Sequence, residues 1–234
     1  MASFDPTARD ARELWEGMYA QHHGHVWSGR PNAALVDAVD DLTPGTALDL
    51  GCGEGGDVLF LARQGWTVTG VDVSDTALAR AREHADEAGV RARFERHDLG
   101  VSFPEGAFDL VTASFLHSYA FLDRLAVLRR AAAAVAPGGS FLVLGHVTRP
   151  EQLGPLVSEE FPDAVVDLPT PEELRAALDL PAQRWTVARS ALVERTTTFD
   201  DGSTGVWRDG VLRLDRLPRE HEDEHEDDTA PHPA

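Results

Sequence analysis

Apolar and polar positions along the chain alternate between two rhythms. Short apolar runs at 46–50, 67–71, 108–113 and 140–145 read as strands, and 91–97 is predicted as a further strand. Between them apolar residues recur at helical spacing, and the punctuation fits helices. Asp5-Pro6 precedes Leu14, Trp15 and Met18, a short helix is predicted over 33–39, and another over 57–63. Ser74 precedes Ala77, Leu78 and Ala81 in a segment closed by Gly89; helices over 121–135 and 171–178 complete the set. Strand, helix and strand in repetition predict an α/β fold, with right-handed crossovers building a parallel sheet covered on both faces. Segments 185–197 and 206–214 differ, being long strands joined by a connection short enough for a hairpin, so the last strand is expected to run antiparallel.

Composition narrows the picture. Forty acidic residues against 21 basic ones give a net charge of −19, a field that repels phosphate backbones and anionic lipid; neither nucleic acid nor a membrane is expected as partner. Residues 219–234 carry seven acids and one arginine with almost no apolar side chain, which predicts a disordered acidic tail after a domain spanning 1–218. Cys52 is the single cysteine, so no disulfide forms within the chain and a reducing, cytoplasmic setting is expected. The first residues show neither a basic nor an apolar signal region.

The chemistry is written where the first strand ends. Asp49-Leu-Gly51-Cys-Gly53-Glu54-Gly55-Gly56-Asp57 joins that strand to a helix, and its glycines let the backbone turn sharply and approach a ligand. Gly51, Gly53 and Gly56 also satisfy the dinucleotide fingerprint, so glycines alone do not separate cofactors. The acids do. A pyrophosphate would face Asp49, Glu54 and Asp57, whereas those carboxylates attract a sulfonium bearing an ammonium group. Asp72 after the second strand suits the vicinal hydroxyls of a ribose, and Asp98-Leu99 after the third suits an adenine edge.

With these residues in place, the sequence resembles the class I S-adenosylmethionine-dependent methyltransferases. The likeness is carried by residues 47–55, by Gly70-Val-Asp72-Val73-Ser74, by His97-Asp98-Leu99, by Phe108-Asp-Leu-Val111 and by Ala136-Pro-Gly-Gly139. Trp15-x-x-Met18-Tyr19 and the stretch 26–32 are similar to a small bacterial branch that includes tellurite-resistance and thiopurine-type enzymes. The resemblance implies a Rossmann-like seven-stranded sheet of order 3-2-1-4-5-7-6, strand seven antiparallel, with helices on both faces. It also implies S-adenosylmethionine as cofactor and a small-molecule methyl acceptor. Residues 1–45 would then cover the cofactor, with Tyr19, Trp27 and Arg30 near its methionine end. Asp49, Gly51, Gly53, Glu54, Asp72, Val73, Asp98, Leu99 and Ser114 would complete its site.

Methyl transfer leaves the protein mainly to align and desolvate the reactants. Where the acceptor is a hydroxyl or amine, histidine is the candidate base; His117, just beyond the fourth strand, is placed first and His146 second. His22, His23 and His25 resemble a metal cluster but have no acidic or cysteine partner nearby, and no metal is expected. Two other classes stay open: a nicotinamide-dependent oxidoreductase, which the carboxylates and some 45 residues ahead of the glycine strand disfavour, and a non-catalytic cofactor-binding or interaction module. Deleting residues 220–234 should leave the melting temperature and cofactor affinity almost unchanged, as thermal denaturation and calorimetry would report; a large loss would mean that the tail is docked.

Overall fold

Along each central strand, successive side chains leave the backbone on opposite sides, and two separate cores result. The computed structural model describes residues 10–22, 24–118, 122–147, 168–198 and 204–218. Its elements in chain order are α1 (Ala11–Gln21), α2 (Ala33–Val39), β1 (Thr46–Leu50), α3 (Gly56–Arg63), β2 (Thr67–Asp72), α4 (Asp75–Ala88) and β3 (Arg93–Arg96). There follow β4 (Phe108–Ser114), α5 (Arg124–Ala133), β5 (Val135–His146), α6 (Pro171–Leu178), β6 (Trp185–Thr198) and β7 (Thr204–Arg216). The strands form one sheet of order β3-β2-β1-β4-β5-β7-β6, the order expected. Strands β1 to β5 pair in parallel, and β7 runs antiparallel to both β5 and β6.

On one face Ala47, Leu110, Leu142 and Leu144 meet Leu35 of α2, Val58 and Leu61 of α3 and Leu78 and Ala81 of α4. On the other, Leu48, Leu50, Val111, Phe141 and Val143 meet Val127, Leu128 and Ala131 of α5 and Leu174 and Leu178 of α6. Because both faces are covered, these strands are nearly continuous in apolar residues, which is why they were legible as short runs. Among the described residues no helix is long and apolar enough to cross a membrane.

Helix ends follow the punctuation with two shifts. Ser74 caps α4 by accepting from the Ala77 N–H at 3.1 Å, and Gly89 closes it at φ +64°. Thr170 and Glu173 form a reciprocal capping box at the start of α6. The cap of α1, however, is Asp10, which accepts from the Arg12 and Glu13 N–H groups; the expected cap, Asp5, lies outside the described residues. Helix α5 starts at Arg124 behind the cap of Asp123, not at position 121, which also lies outside them. Pro137-Gly138-Gly139 does not precede β5 as expected but lies within it. Val135 pairs with Phe108 and the ladder resumes at Leu110 and Ser140, so the intervening residues form a bulge. Gly139 permits it, since a Cβ there would sit 2.7 Å from the Asp109 carbonyl oxygen.

The acidic tail, the segment 148–167 and positions 199–203 of the hairpin connection fall outside the described residues. Leu48 is fully buried at the centre of β1. Leu48→Ala should destabilise the fold by about 2–5 kcal/mol, read as a lower urea midpoint with unchanged slope.

Candidate functional site

Parallel strands of one sheet end together, and β1, β2, β3 and β4 finish along one edge with the glycine loop at its centre. The N–H groups of Gly51 and Cys52 both donate to the Val71 carbonyl, at 2.8 and 2.9 Å, which folds the loop back over β2. Gly51 has φ +70° and Gly53 φ +52°, backbone that glycine adopts without penalty. A Cβ at Gly51 would lie 2.8 Å from Leu116 Cδ1, and one at Gly53 would lie 2.9 Å from the Tyr19 hydroxyl. Cys52 is buried, packs against Gly70, and has its thiol pushed up by burial, as befits a packing residue.

Asp72 fastens this loop. One carboxylate oxygen accepts from the Gly53 N–H and the other from the Ser74 N–H, each at 2.9 Å. Asp49 accepts from the Thr112 hydroxyl at 2.7 Å on the same face of the sheet. Both acids are buried, 2% and 9% exposed, and neither forms an ion pair with a lysine or arginine among the described residues. Burial therefore raises both carboxyls above their ordinary range, with the nearby charge of Asp57 adding to the effect at Asp49.

The other two acids of the loop have different work. Glu54 accepts from the Val26 and Trp27 N–H groups at 3.1 and 3.0 Å and pairs with Arg80 at 2.8 Å. Asp57 takes both the N–H and the side-chain amide of Asn32, at 2.7 and 2.8 Å. Glu54 and Asp57, expected to stand with Asp49 toward a ligand, here accept hydrogen bonds from the segment 26–32. Arg80 extends the tie by donating also to the carbonyls of Tyr19 and His22. Sequence reading did not find Arg80, because a helix-surface arginine carries no signal of the loop it will meet.

Tyr19 is buried and accepts a hydrogen bond from Trp27 Nε1 at 2.9 Å, while Trp27 itself is 53% exposed. Arg30 is exposed, and its side chain makes no hydrogen bond among the described residues. Glu16, a second residue without a sequence signal, accepts from the hydroxyls of Ser74 and Thr76 and ties α1 to the start of α4. His22 bonds the Met18 carbonyl and His25 stacks on His84; His23 lies outside the described residues. Past β2, Val73 is half-buried, and past β3 Asp98 accepts from the Gly100 N–H at 3.0 Å while Leu99 is buried.

Beyond β4 the chain turns tightly. Phe115 adopts φ +51°, its N–H meets the Leu144 carbonyl, and His117 N–H returns to the Phe115 carbonyl at 2.7 Å. This turn lays Leu116 over Gly51 and sends His117 back against the end of β5. There His117 Nε2 accepts from the His146 N–H at 3.2 Å, so the proton of the neutral ring sits on Nδ1. Burial, aided by the positive charge of Arg124, pushes His117 down to about 3. Such a ring donates rather than takes a proton. Its Nδ1 and the hydroxyl of Ser114 are both buried without a hydrogen-bond partner among the described residues. Trp15 closes the rim from α1 by donating to the Ser118 hydroxyl at 3.3 Å.

Similarity to known proteins agrees with this geometry. Residues 47–139 match the family model described as a methyltransferase domain. The chain is 33% identical over 168 residues to a demethylmenaquinone methyltransferase of Thermus thermophilus, covering 61% of this chain and 76% of that one. It is 36% identical over 152 residues to a nocamycin O-methyltransferase of Saccharothrix syringae, of which it spans about half, 52%. Among solved structures, one described as converting a disulfide bond into a thioacetal group during echinomycin biosynthesis superposes with a TM-score of 0.68 at 27% identity, over 89% of this chain and 94% of that one. The fold is also that of TehB from Haemophilus influenzae, with TM-score 0.60 at 17% identity over 86% of this chain and 66% of that one. Magnesium protoporphyrin IX methyltransferase from Synechocystis with bound S-adenosylmethionine shares it too, with TM-score 0.59 at 18% identity over 90% and 99%. Order of strands, glycine loop and relatives converge, and the chain belongs to the class I S-adenosylmethionine-dependent methyltransferases.

Proposed function

We propose that this methyltransferase acts on a small molecule and holds its cofactor along the edge formed by the ends of β1 to β4. The observation that carries the reading is the pair Asp49 and Asp72, two buried carboxylates beside the glycine loop that form no ion pair with a cationic side chain among the described residues. A ligand bearing ammonium, sulfonium and ribose hydroxyl groups supplies both the missing positive charge and hydrogen-bond donors. S-adenosylmethionine, when bound, brings a methyl group made electrophilic by its sulfonium sulfur. Asp72 is assigned to the ribose hydroxyls and Asp49 to the cationic end, with Gly51 and Gly53 keeping side chains out of the way. Val73, Asp98 and Leu99 are assigned to the adenine side. Ser114, whose hydroxyl has no partner among the described residues, and Tyr19, Trp27 and Arg30 are assigned to the methionine side, where the Arg30 guanidinium suits a carboxylate.

Support for a small acceptor comes from the charge of −19, unsuited to a polyanion, and from relatives named for demethylmenaquinone and nocamycin. The segment 26–32 serves in this reading as the cover over the cofactor, with Glu54 as its tether. That tether withstands moderate acid. Burial alone would raise the Glu54 carboxyl, but hydrogen bonds from Trp27, Arg80 and Val26 outweigh it and hold the group below its ordinary value. A lowered carboxyl contributes stability that is complete above the unfolded value, about 4.3, and is lost as pH falls through the folded one.

Asp72→Ala should weaken S-adenosylmethionine binding about 10- to 150-fold in calorimetry, equivalent to about 1.5–3 kcal/mol for a charged acceptor; unchanged affinity, or tighter binding of NAD, would remove this reading. Glu54→Ala should speed amide hydrogen exchange at Val26 and Trp27 at pH 7 and shorten the residence time of S-adenosylhomocysteine. In the wild type the same exchange should accelerate only in acid below the ordinary glutamate range.

A further inference from the structure

His146 and Asp209 stand directly opposite each other in the antiparallel β5–β7 pair, and the pairing joins their side chains. His146 Nδ1 lies 2.7 Å from one Asp209 oxygen, and the other oxygen accepts from Arg195 Nε at 2.6 Å. An ionised carboxylate only accepts, so Nδ1 carries the proton and Nε2 of the neutral ring keeps a free lone pair. Burial works against ionisation of Asp209, 5% exposed, but the bonds from His146 and Arg195 prevail and hold its carboxyl below the ordinary range.

His146 Nε2 has no hydrogen-bond partner among the described residues, and its side chain is 28% exposed. The ring is flanked by Phe115 at 4.5 Å, Trp207 at 5.2 Å and His117 at 5.6 Å between centroids. The charged or titratable groups around it are Asp209 of β7, Arg195 of β6, His117 after β4 and Arg124 of α5; from α6 only Pro171 and Leu174 line the neighbouring cavity. His117, by contrast, has its Nε2 committed to the His146 backbone. The two histidines thus carry opposite capacities at one edge, a buried donor at His117 Nδ1 and an acceptor at His146 Nε2.

We propose that His146 is the general base of the reaction, positioned by Asp209, and that the acceptor atom is a hydroxyl oxygen. This rests on the small-molecule reading above. As the hydroxyl oxygen forms its bond to the methyl carbon, its proton passes to His146 Nε2. The electron pair of the breaking carbon–sulfur bond remains on sulfur, leaving a neutral thioether and an imidazolium balanced by Asp209. An acceptor that is already an anion has no use for this device.

Two measurements test it. Nitrogen NMR of the full chain labelled in histidine, with His146→Gln to assign the resonance, should find the neutral His146 ring protonated on Nδ1. Asp209→Ala should shift the proton toward Nε2. An Nε2-protonated ring in the wild type would overturn the proposal. The second measurement follows methyl transfer to catechol and to thiophenol from pH 5 to 9. His146→Gln should lower kcat for catechol by about 10²- to 10⁴-fold, while changing transfer to the ionised thiol little. Equal losses with both probes would make His146 merely structural and overturn the proposal. If the wild type methylates neither, the failure falls on the small-molecule reading, and the NMR result upholds or overturns the His146–Asp209 pair by itself.

Discussion

A single carboxylate, that of Asp72, decides whether this edge of the sheet is a site at all. By accepting from Gly53 and Ser74 at once it joins the loop after β1 to the loop after β2, two stretches that share no covalent neighbour. Everything else is hung on that join. Gly53 held in place brings Glu54 to the segment 26–32, and Ser74 held in place caps α4, which presents Arg80 to the same Glu54. The join is costly in isolation, because a buried carboxylate loses solvation that two backbone N–H groups only partly replace. In the proposed function the cofactor's own hydroxyls and positive charge supply what is missing, so the loop reaches its best-satisfied state only when loaded.

Much of the architecture was legible because it is local. The periodicity of buried strands, Ser74 and Gly89 at the ends of α4, and the positive-φ glycines of the first loop are each decided by residues within a few positions of one another. The long final strands announced an antiparallel hairpin by the shortness of the link between them. The start of β5 was misplaced because the proline and glycines at 137–139 are ordinary turn residues, and only the neighbouring strand, with the Asp109 carbonyl close against Gly139, makes them a bulge.

At the site the limit of sequence reading was partnership. Asp49, Glu54 and Asp57 look alike in a linear string, yet Asn32 meets Asp57, Arg80 pairs with Glu54, and Asp49 has only the Thr112 hydroxyl. The same holds for the histidines. His117 and His146 both follow strands, and what separates them is a backbone N–H on one and a carboxylate 63 residues away on the other. No spacing rule encodes that distance, since it is created by the insertion of β7 beside β5.

The Glu54–Arg80 pair carries one more implication. With side-chain exposures of 2% and 17%, it lies where mobile ions have little access, unlike the exposed pairs Arg12–Asp75 and Arg208–Glu194. Electrolyte screening acts over a Debye length of about 8 Å in physiological saline, but it works through solvent, and a pair walled in by peptide groups is largely spared. The attachment of residues 26–32 to the glycine loop is therefore indifferent to ionic strength over a range in which the rest of this strongly anionic surface changes its electrostatic character completely.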